Sequence, residues 1–571
     1  MATARDMIAD VLDEAGIEFV FGLPGGGTVS IFDSLWDHRG SIRAILVRHE
    51  QGAAIMADAY GRATGRPAVI MGQGAFMGSN AMFGIMEAYS SGSPMVVLTD
   101  TSDGDNALHP QNQSVAGEYG SPDLLSIFRA TTKYTALAVS PKDAVIACQL
   151  AIKHSISGRP GPTAVVFRSS AINGEVDVEE PPFIHSTKGY LTMSPPVAPA
   201  HDVIRAAALL TGAKSPVIMA GNGVHLSDAH EELRELAELL GAAVATSYKG
   251  KSAIAETHPL AVGMAGVFGQ AVANETIGAA DVVLVVGARL TPQDTVRETP
   301  TVFDPKRQKI IQIDIDPRNA GWTFPVEMGL VGDARGVLKQ LVDASQRSAR
   351  NGKIDLAART GSIQARKEKF GYFNDAALLS DEQPILPQRL VKVLQDTLDP
   401  DAVVSVDAGN NRVWMSHYFQ TRAPKTFFAP GGLAGMGWAM PAALALKLVH
   451  PNRQVVGVTG DGGFMMSIHA IQTAIQYKLP VVYVVMNDSV LGMVHMHQGD
   501  RPMASEFGDV DHGAIARGFG AFGVQVRDPK ELPDALEEAL EFDGPAVVDV
   551  VISRAASIDA IRNSPRLATE T

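Results

Sequence analysis

Two carboxylates in the last third of the chain have the spacing of a cation site. Asp461 follows the strand-like run 455–460, and Asp488 ends the next apolar run, 27 positions later. An amphipathic segment separates the runs, so the pattern predicts a strand–helix–strand unit whose two strand ends share one edge of a parallel sheet. Carboxylates beside a glycine turn suit a hard cation, Mg²⁺ or Ca²⁺. The cation would hold a diphosphate, and the turn's glycines, Gly460, Gly462 and Gly463, would let backbone amides approach the phosphates.

A third carboxylate, Glu50, stands where the apolar run 42–47 gives way to a helical segment. A carboxylate there could simply favour the helix N-terminus, so the position alone does not decide its role. The helix is rich in small residues, which predict close packing against another backbone, as at a domain or subunit interface. These residues are Gly52, Ala53, Ala54, Ala57, Ala59 and Gly61.

Three further turns carry weaker signals. The glycines at 25–27 follow one predicted strand and precede a helix, which is typical of phosphate loops and of ordinary helix starts alike. Asn410 and Asn411 follow the strand 403–407, where they could bind a ligand or form an Asx turn. Met436 lies in the glycine-rich run 431–438 before an alanine-rich helix, where a methionine ordinarily belongs to the core.

The elements that must position these residues form three α/β layers. A chain of 571 residues is too long for one core, and strand-like runs alternate with helical ones throughout. We predict three doubly wound parallel-sheet domains, at residues 1–185, 190–345 and 375–555. A proline- and acid-rich linker covers 175–199, and a polar linker with one helix covers 346–385.

The charge and the cysteine content of the chain limit the classes of function it could have. The formal charge of −14 argues against nucleic acid as a partner. The one cysteine, Cys148, lies in an apolar helical setting and fits a reducing cytosol, so we expect a cytoplasmic protein. The start of the chain lacks the pattern of a signal peptide, and no apolar run is long enough for a membrane span.

Three of these motifs together resemble a known superfamily over essentially the whole chain. The superfamily contains acetolactate synthases, pyruvate oxidases and 2-oxoacid decarboxylases. Its thiamin diphosphate motifs are similar to three stretches of this chain: the segment from Gly460 to Asp488, the His49-Glu50-Gln51-Gly52 junction and the run 432–437. The resemblance implies pyrimidine-binding, middle and diphosphate-binding domains, in that order. It also implies thiamin diphosphate and Mg²⁺ as cofactors.

The resemblance assigns roles to single residues. Glu50 would hydrogen-bond N1′ of the aminopyrimidine and so promote removal of the thiazolium C2 proton. Met436 would wedge under the cofactor, and backbone atoms of Ala434 and Met436 would bind the pyrimidine. The metal ligands would be the side chains of Asp461 and Asp488 with the carbonyl of Val490. The other implied cofactor-binding residues are Pro24, Gly25, Asn80, Asn410, Asn411, Gly460, Gly462, Gly463, Leu491, Gly492 and Met493.

The chain departs from the family pattern mainly where the substrate should bind. Phe76 lies in a loop that differs from the usual Ser-Gly-Pro-Gly type, and Tyr119 stands in place of a substrate-facing Phe. His497 replaces a tryptophan that shapes the acceptor site; a histidine there can bind a carboxylate or move protons. His109 and Gln113 are either substrate ligands or solvated loop residues. Asp488 stands where the family usually has Asn; it still suits Mg²⁺ but adds charge beside the diphosphate.

The expected activity is decarboxylation of a 2-oxo acid with carboligation to a second carbonyl, similar to that of acetolactate synthase catalytic subunits. The alternatives are a 2-hydroxyacyl-CoA lyase or oxalyl-CoA decarboxylase, a pyruvate oxidase, a sulfoacetaldehyde acetyltransferase-like enzyme, and a non-catalytic paralogue. The resemblance implies a homodimer or homotetramer with the active site between subunits. The middle domain would bind FAD, ADP or nothing; its candidate residues are Gly221, Gly223, Arg289, Asp314 and Asp333.

Overall fold

The computed structural model describes residues 2–103, 109–177, 185–191, 194–349 and 354–563. The chain forms two compact units. The first contains Met1–Ser194, Pro430–Val449 and Ser467–Tyr477, and the second contains Pro195–Ala429, His450–Met466 and Lys478–Thr571.

The described strands are short, and most consist of β-branched and other apolar residues. In chain order they are β1 Ala2–Thr3, β2 Phe19–Gly22, β3 Arg43–Leu46, β4 Ala68–Gly72, β5 Met95–Asp100, β6 Tyr134–Ala138, β7 Pro162–Phe167, β8 Glu175–Val176, β9 Pro216–Ala220, β10 Ala243–Thr246, β11 Ala261–Met264, β12 Val282–Val286, β13 Lys309–Asp314, β14 Met328–Val331, β15 Val403–Val406, β16 Phe427–Phe428, β17 Val455–Gly460, β18 Val482–Asn487, β19 Phe522–Val526 and β20 Ala546–Val551.

The described α-helices connect most of these strands. They are α1 Ala4–Glu14, α2 Val29–Ser34, α3 Glu50–Thr64, α4 Gly74–Met77, α5 Met82–Ser91, α6 Leu124–Thr131, α7 Pro141–Ile156, α8 Ser169–Asn173, α9 Thr187–Tyr190, α10 Ala200–Gly212, α11 Asn222–Leu226, α12 His230–Leu240, α13 Ala271–Gly278, α14 Ala334–Ala349, α15 Leu356–Phe370, α16 Pro387–Thr397, α17 Asn410–Tyr418, α18 Ala439–Val449, α19 Asp461–Ser467, α20 Ala470–Gln476, α21 Gly492–Gln498, α22 His512–Phe519 and α23 Leu532–Glu541.

The strands form three six-stranded sheets, and every pairing within them is parallel. The first unit holds the sheet β3-β2-β4-β5-β7-β6, and the second unit holds β11-β10-β9-β12-β13-β14 and β16-β15-β17-β18-β20-β19. The predicted fold class, three doubly wound parallel sheets, is confirmed. Central strands such as β5 and β18 are buried along their whole length, as expected for a sheet covered on both faces.

The strand order locates the ligand-binding edges. The first and last sheets share one topology, in which the chain direction across the sheet reverses between β2 and β4 and between β15 and β17. The middle sheet reverses between β9 and β12 and has the strand order of dinucleotide-binding folds. Ligands bind outside the carboxyl ends of strands at such reversals, so the loops after these strands are candidate ligand-binding loops.

Helix α3 is packed as the sequence predicted. A Cβ atom on Gly84 of α5 would lie 2.5 Å from the Cβ of Ala54, and one on Gly61 would lie 2.6 Å from the carbonyl oxygen of Pro94. Alanine and glycine therefore let the backbones of α3 and α5 approach more closely than larger side chains would allow. The prediction of close backbone packing is confirmed within the first unit.

The first predicted linker is more structured than expected at its start. Glu175 and Val176 form β8, which pairs antiparallel with β1, because the extended backbone there finds unpaired partners at the beginning of the chain. Parts of both linkers, at 178–184, 192–193 and 350–353, and the tail 564–571 lie outside the described residues. The predicted domain boundaries remain predictions. No helix in the described ranges is both long and apolar enough to cross a membrane.

Candidate active site

The two aspartates predicted to bind a cation lie at the ends of neighbouring strands. β17 and β18 pair in register from Val456 with Val482 to Gly460 with Met486, so both strands end at the same edge of the sheet. Asp461 is the first residue of α19. Its Oδ1 accepts a hydrogen bond from Gly462 N at 2.7 Å, whereas Oδ2 is buried and has no partner among the described residues.

The electrostatics of this pair fit a cation. Burial, followed by the charge of Asp461, raises the pKa of Asp488 to about 7. Burial also raises the pKa of Asp461. A divalent cation would stabilise the charged forms of both carboxylates, which burial disfavours. It would also bind the oxygen that has no hydrogen-bond donor. The donor set therefore fits Mg²⁺.

Asn410 and Gly492 complete this edge of the sheet. Asn410 is the first residue of α17, and its Oδ1 is buried without a partner in the described part of the chain. A Cβ atom on Gly492 would lie 2.6 Å from Asn410 Nδ2 and 3.2 Å from Asp488 Oδ2. Glycine at 492 thus lets the side chains of Asn410 and Asp488 converge on this turn. The next residue, Asn411, donates from Nδ2 to the carbonyl of Asp407 at 3.0 Å, which fixes the turn after β15.

The segment after Asp488 is held by a short bridge. Ser489 has φ +55, and the chain then pairs antiparallel at Val490 and Glu506. Leu491 N donates to the carbonyl of Ser505 at 2.8 Å. These contacts fix the backbone that carries the predicted Val490 carbonyl ligand, and α21, with Gly492 and Met493 in its first turn, follows directly.

A buried polar network at the end of β18 was missed by the sequence analysis. Asn487 donates from Nδ2 to Asp549 Oδ1 at 3.0 Å, and His512 Nδ1 lies 3.2 Å from the same oxygen. Burial opposes the charge of Asp549, but hydrogen bonds from His512 and Gln525 outweigh it and lower the pKa of this carboxyl. The network fixes the strand end immediately before Asp488. The sequence did contain a sign of this network, because Asp549 is a charged residue within the otherwise apolar run of β20.

Glu50 lies in the first unit as the first residue of α3, and it is 8% exposed. His49 caps this helix, since its Nδ1 accepts from Gln51 N at 3.2 Å. Asn80 donates from Nδ2 to Glu50 Oε2 at 2.9 Å, which brings together two residues that the sequence analysis predicted separately. The carboxylate is thus oriented by a neutral amide rather than by a cation.

A second missed residue, Asp100, organises the loops after β2 and β4. Its Oδ2 accepts from Gly27 N at 2.9 Å, and its Oδ1 accepts from Gly74 N at 3.2 Å. A Cβ atom on Gly26, which has φ +56, would lie 2.7 Å from Asp100 Oδ2, so only glycine fits. One carboxylate therefore sets both loops at the topological reversal of this sheet, including the predicted cofactor residues Pro24 and Gly25.

The predicted substrate residues are only partly brought together. Gln73, in the loop after β4, donates from Nε2 to Gln113 Oε1 at 2.7 Å, and Gln113 has φ +69. Phe76 lies in the adjoining helix α4 and is half-buried. His109 and His497 are exposed, and the described contacts do not connect them to these groups.

In the middle sheet the predicted nucleotide glycines have a structural explanation. A Cβ atom on Gly221 would lie 2.4 Å from the carbonyl oxygen of Gly287, and one on Gly223 would lie 2.7 Å from Gly287 Cα. Gly223 N also donates to that carbonyl at 3.0 Å. The loops after β9 and β12 therefore contact each other directly, which requires glycine without any ligand. Arg289 is exposed, and Asp314 Oδ2 accepts from Asn319 at 2.7 Å.

Three family models match the chain in the order of its sheets. Residues 2–116 match the thiamine pyrophosphate enzyme N-terminal TPP binding domain, residues 203–341 the central domain, and residues 407–550 the C-terminal TPP binding domain. Fold and matches together define a thiamin diphosphate-dependent enzyme.

Relatives that match over nearly the whole chain show which thiamin diphosphate-dependent enzymes it resembles. A probable acetolactate synthase large subunit of Methanocaldococcus jannaschii is 32% identical over 575 residues, covering 98% of this chain and 94% of the relative. The acetolactate synthase isozyme 3 large subunit of Escherichia coli is 32% identical over 551 residues, covering 95% and 92%. The acetolactate synthase large subunit of Corynebacterium glutamicum is 31% identical over 571 residues, covering 97% and 88%. The chain belongs to the family of these acetolactate synthase large subunits.

Proposed function

We propose that the protein is an acetolactate synthase-like carboligase, which uses thiamin diphosphate and Mg²⁺ to decarboxylate a 2-oxo acid and join the product to a second carbonyl. The observation that carries this proposal is the buried Asp461 Oδ2 without a partner beside Asp488. When bound, thiamin diphosphate would supply a nucleophilic thiazolium carbon, and its positively charged ring would act as the sink for the electron pair left by decarboxylation.

The residues of the second unit would hold the metal and the diphosphate. Asp461 and Asp488 supply charged oxygen ligands, and the carbonyl of Val490 supplies a neutral one. Hydrogen-bond donors to the diphosphate would come from Asn410, Asn411 and the backbone of α19 and α21. The glycines at 460, 462, 463 and 492 would let backbone N–H groups approach it, and Leu491 and Met493 flank the last of them.

Glu50 would act on the proton at N1′ of the aminopyrimidine. Its burial keeps water from competing for the carboxylate, and the Asn80 amide leaves one oxygen, Oε1, for the cofactor. Backbone atoms of Ala434 and Met436 would bind the opposite edge of the pyrimidine. Pro24 and Gly25 would border the same ring from the loop after β2.

The substrate site is proposed to be more polar than in the acetolactate synthases. The amides of Gln73 and Gln113 are hydrogen-bonded to each other, and His497 stands where those enzymes place a tryptophan. Phe76 and His109 would border the same space. A histidine and amides favour an acceptor that carries a carboxylate or several hydrogen-bonding groups.

The working form is proposed to be a cytoplasmic homodimer or homotetramer with the cofactor between subunits. The support is the resemblance to the large-subunit family together with the single buried thiol of Cys148. Sedimentation velocity with and without thiamin diphosphate and Mg²⁺ should show at least a dimer with the cofactors present. A monomer that turns over substrate would contradict this assembly.

The proposal is tested with a panel of 2-oxo acids in the presence of thiamin diphosphate and Mg²⁺, with and without acceptor aldehydes and 2-oxo acids. We expect consumption of pyruvate or a close analogue, release of CO₂ and a carboligated product that depends on the acceptor. Cofactor binding without consumption of any 2-oxo acid would support the non-catalytic paralogue instead.

The absorption spectrum of the purified protein decides the ligand of the middle domain. The contacts of Gly221 and Gly223 with Gly287 already account for the glycines, so we expect no flavin band and no ADP released on denaturation. A bound flavin would instead place FAD at the carboxyl edge of the middle sheet, and released ADP would place ADP there.

Replacing Asp488 by asparagine should stabilise the metal-free protein. The folded state raises the pKa of Asp488 from 3.8 to about 7, so stability is lost as the pH rises from about 4 to about 7 and stays low above that. The shift corresponds to roughly 4 kcal/mol at most, and each kcal/mol relieved adds about 2–4 °C to the midpoint of thermal unfolding.

The measurement is thermal unfolding in EDTA at pH 5 and pH 8, comparing the wild type with Asp488→Asn. The gain should be larger at pH 8, because only there is Asp488 charged in the folded wild type. Equal gains at both pH values, or a loss at pH 8, would show that the folded state does not disfavour the charged form of Asp488.

A further inference from the structure

Glu87 holds the loop that precedes Met436 by four consecutive backbone N–H groups. Its Oε1 accepts from Gly431 N at 3.1 Å and Gly432 N at 2.9 Å. Its Oε2 accepts from Leu433 N at 2.7 Å and Ala434 N at 2.8 Å. The Glu87 side chain, on helix α5 of the first unit, is completely buried.

The loop has no regular secondary structure of its own, so its N–H groups need acceptors from elsewhere. A carboxylate is suited to this, since its two oxygens offer about four lone-pair sites and charge-assisted bonds are stronger than neutral ones. Ala434 has φ +58, a backbone conformation that side chains disfavour. The bond from its N–H to Glu87 stabilises that conformation.

The loop also lies directly against helix α5. A Cβ atom on Gly432 would be 2.6 Å from the Cβ of Ser90, and one on Gly435 would be 2.5 Å from the ring of Phe83. Two glycines therefore allow the contact, and the four N–H bonds fix its register.

The charge of Glu87 is balanced by Arg62 in a buried network that also contacts Trp438, four residues after Ala434. Arg62 lies 2.5 Å from Glu87 Oε1 and 2.8 Å from Asp58 Oδ2. Trp438 donates from Nε1 to Asp58 Oδ2 at 2.9 Å, and its ring lies 4.9 Å from the Arg62 guanidinium. Glu87 thus holds residues 431–434, and Asp58 holds Trp438, so the network fixes both ends of the run that contains Met436.

We propose that Glu87 is a positioning residue for the aminopyrimidine of the cofactor. It sets the backbone of Ala434 and, through the short stretch that follows, the position of Met436. This inference rests on the proposed function, which gives those two residues the pyrimidine-binding role. Glu87 itself need not touch the cofactor.

The variant that tests this is Glu87→Gln, which keeps the side-chain size. The remaining oxygen should face Arg62, so the new NH₂ group would face the N–H groups of Leu433 and Ala434, donor against donor. The matched control is Ser91→Ala, because Ser91 donates to Glu87 Oε1 at 2.7 Å and its loss leaves the four N–H bonds in place.

The first readout is amide hydrogen exchange in the cofactor-free protein. In the wild type and in Ser91→Ala, amides 431–434 should be protected despite the irregular backbone. In Glu87→Gln, exchange at 433 and 434 should become about 10- to 100-fold faster, the factor expected for hydrogen bonds to a charged group. Unprotected wild-type amides would overturn the proposal even if the variant failed to fold.

The second readout is binding of thiamin diphosphate and exchange of its C2 proton at saturating cofactor. Glu87→Gln should bind about 10- to 100-fold more weakly and exchange more slowly when saturated; a purely structural role would lower only the midpoint of unfolding. If wild type and variant bind equally, this inference is wrong. If the wild type binds no thiamin diphosphate, the proposed function itself fails.

Discussion

In the Glu50→Gln variant, exchange of the C2 proton of bound thiamin diphosphate should slow by about 10²- to 10⁴-fold, the range for a general acid–base group. Glutamine keeps the shape and can still accept from Asn80 Nδ2, but it cannot give a proton to or take one from N1′. Cofactor affinity should change little, because the diphosphate and metal are held by other residues.

The measurement is quenched-flow hydrogen–deuterium exchange at C2, read by NMR, on the saturated enzyme. The matched control is Asp33→Asn, an exposed carboxylate of the same unit whose loss should leave exchange unchanged. Exchange near the wild-type rate in Glu50→Gln would remove this residue from the chemistry and return it to the role of a helix N-terminal carboxylate.

The second large effect is expected at Asp461. Replacement by asparagine should weaken binding of thiamin diphosphate by at least about 100-fold and abolish its dependence on Mg²⁺, since a direct ligand contributes more than the outer groups that orient it. Asparagine can keep the bond from Gly462 N to Oδ1, so the turn after β17 should survive. The loss would then reflect the charge at Oδ2, which has no protein partner in the described residues.

Calorimetric titration of thiamin diphosphate at several Mg²⁺ concentrations checks this expectation. Asp534→Asn, on an exposed position of α23, is the control and should bind as the wild type does. Wild-type affinity with an intact Mg²⁺ dependence in Asp461→Asn would place the cation elsewhere.

Local patterns were sufficient for the fold class and for one carboxylate pair. Apolar runs between helical segments predicted the parallel sheets, and the strand ends predicted where Asp461 and Asp488 meet. Parallel strands must end at one edge, so the spacing alone carried this information.

Contacts between residues far apart in the chain could not be predicted, because no local sequence pattern indicates them. Glu87 reaches backbone N–H groups 344–347 positions away, and backbone donors have no sequence signature. Asp100 ties two loops in the same way across 73 positions. For the glycines of the middle sheet, the sequence pattern suggested a nucleotide turn, and the structure adds the close approach of Gly223 to Gly287 as a reason for glycine; nucleotide binding there stays a prediction.

The most direct test is a crystal structure grown with thiamin diphosphate and Mn²⁺ in place of Mg²⁺. We expect an anomalous peak between the carboxylates of Asp461 and Asp488, with the Glu50 side chain of one subunit directed at N1′ of the pyrimidine. A bound cofactor with no metal between those aspartates, or with Glu50 turned away from the ring, would contradict this expectation.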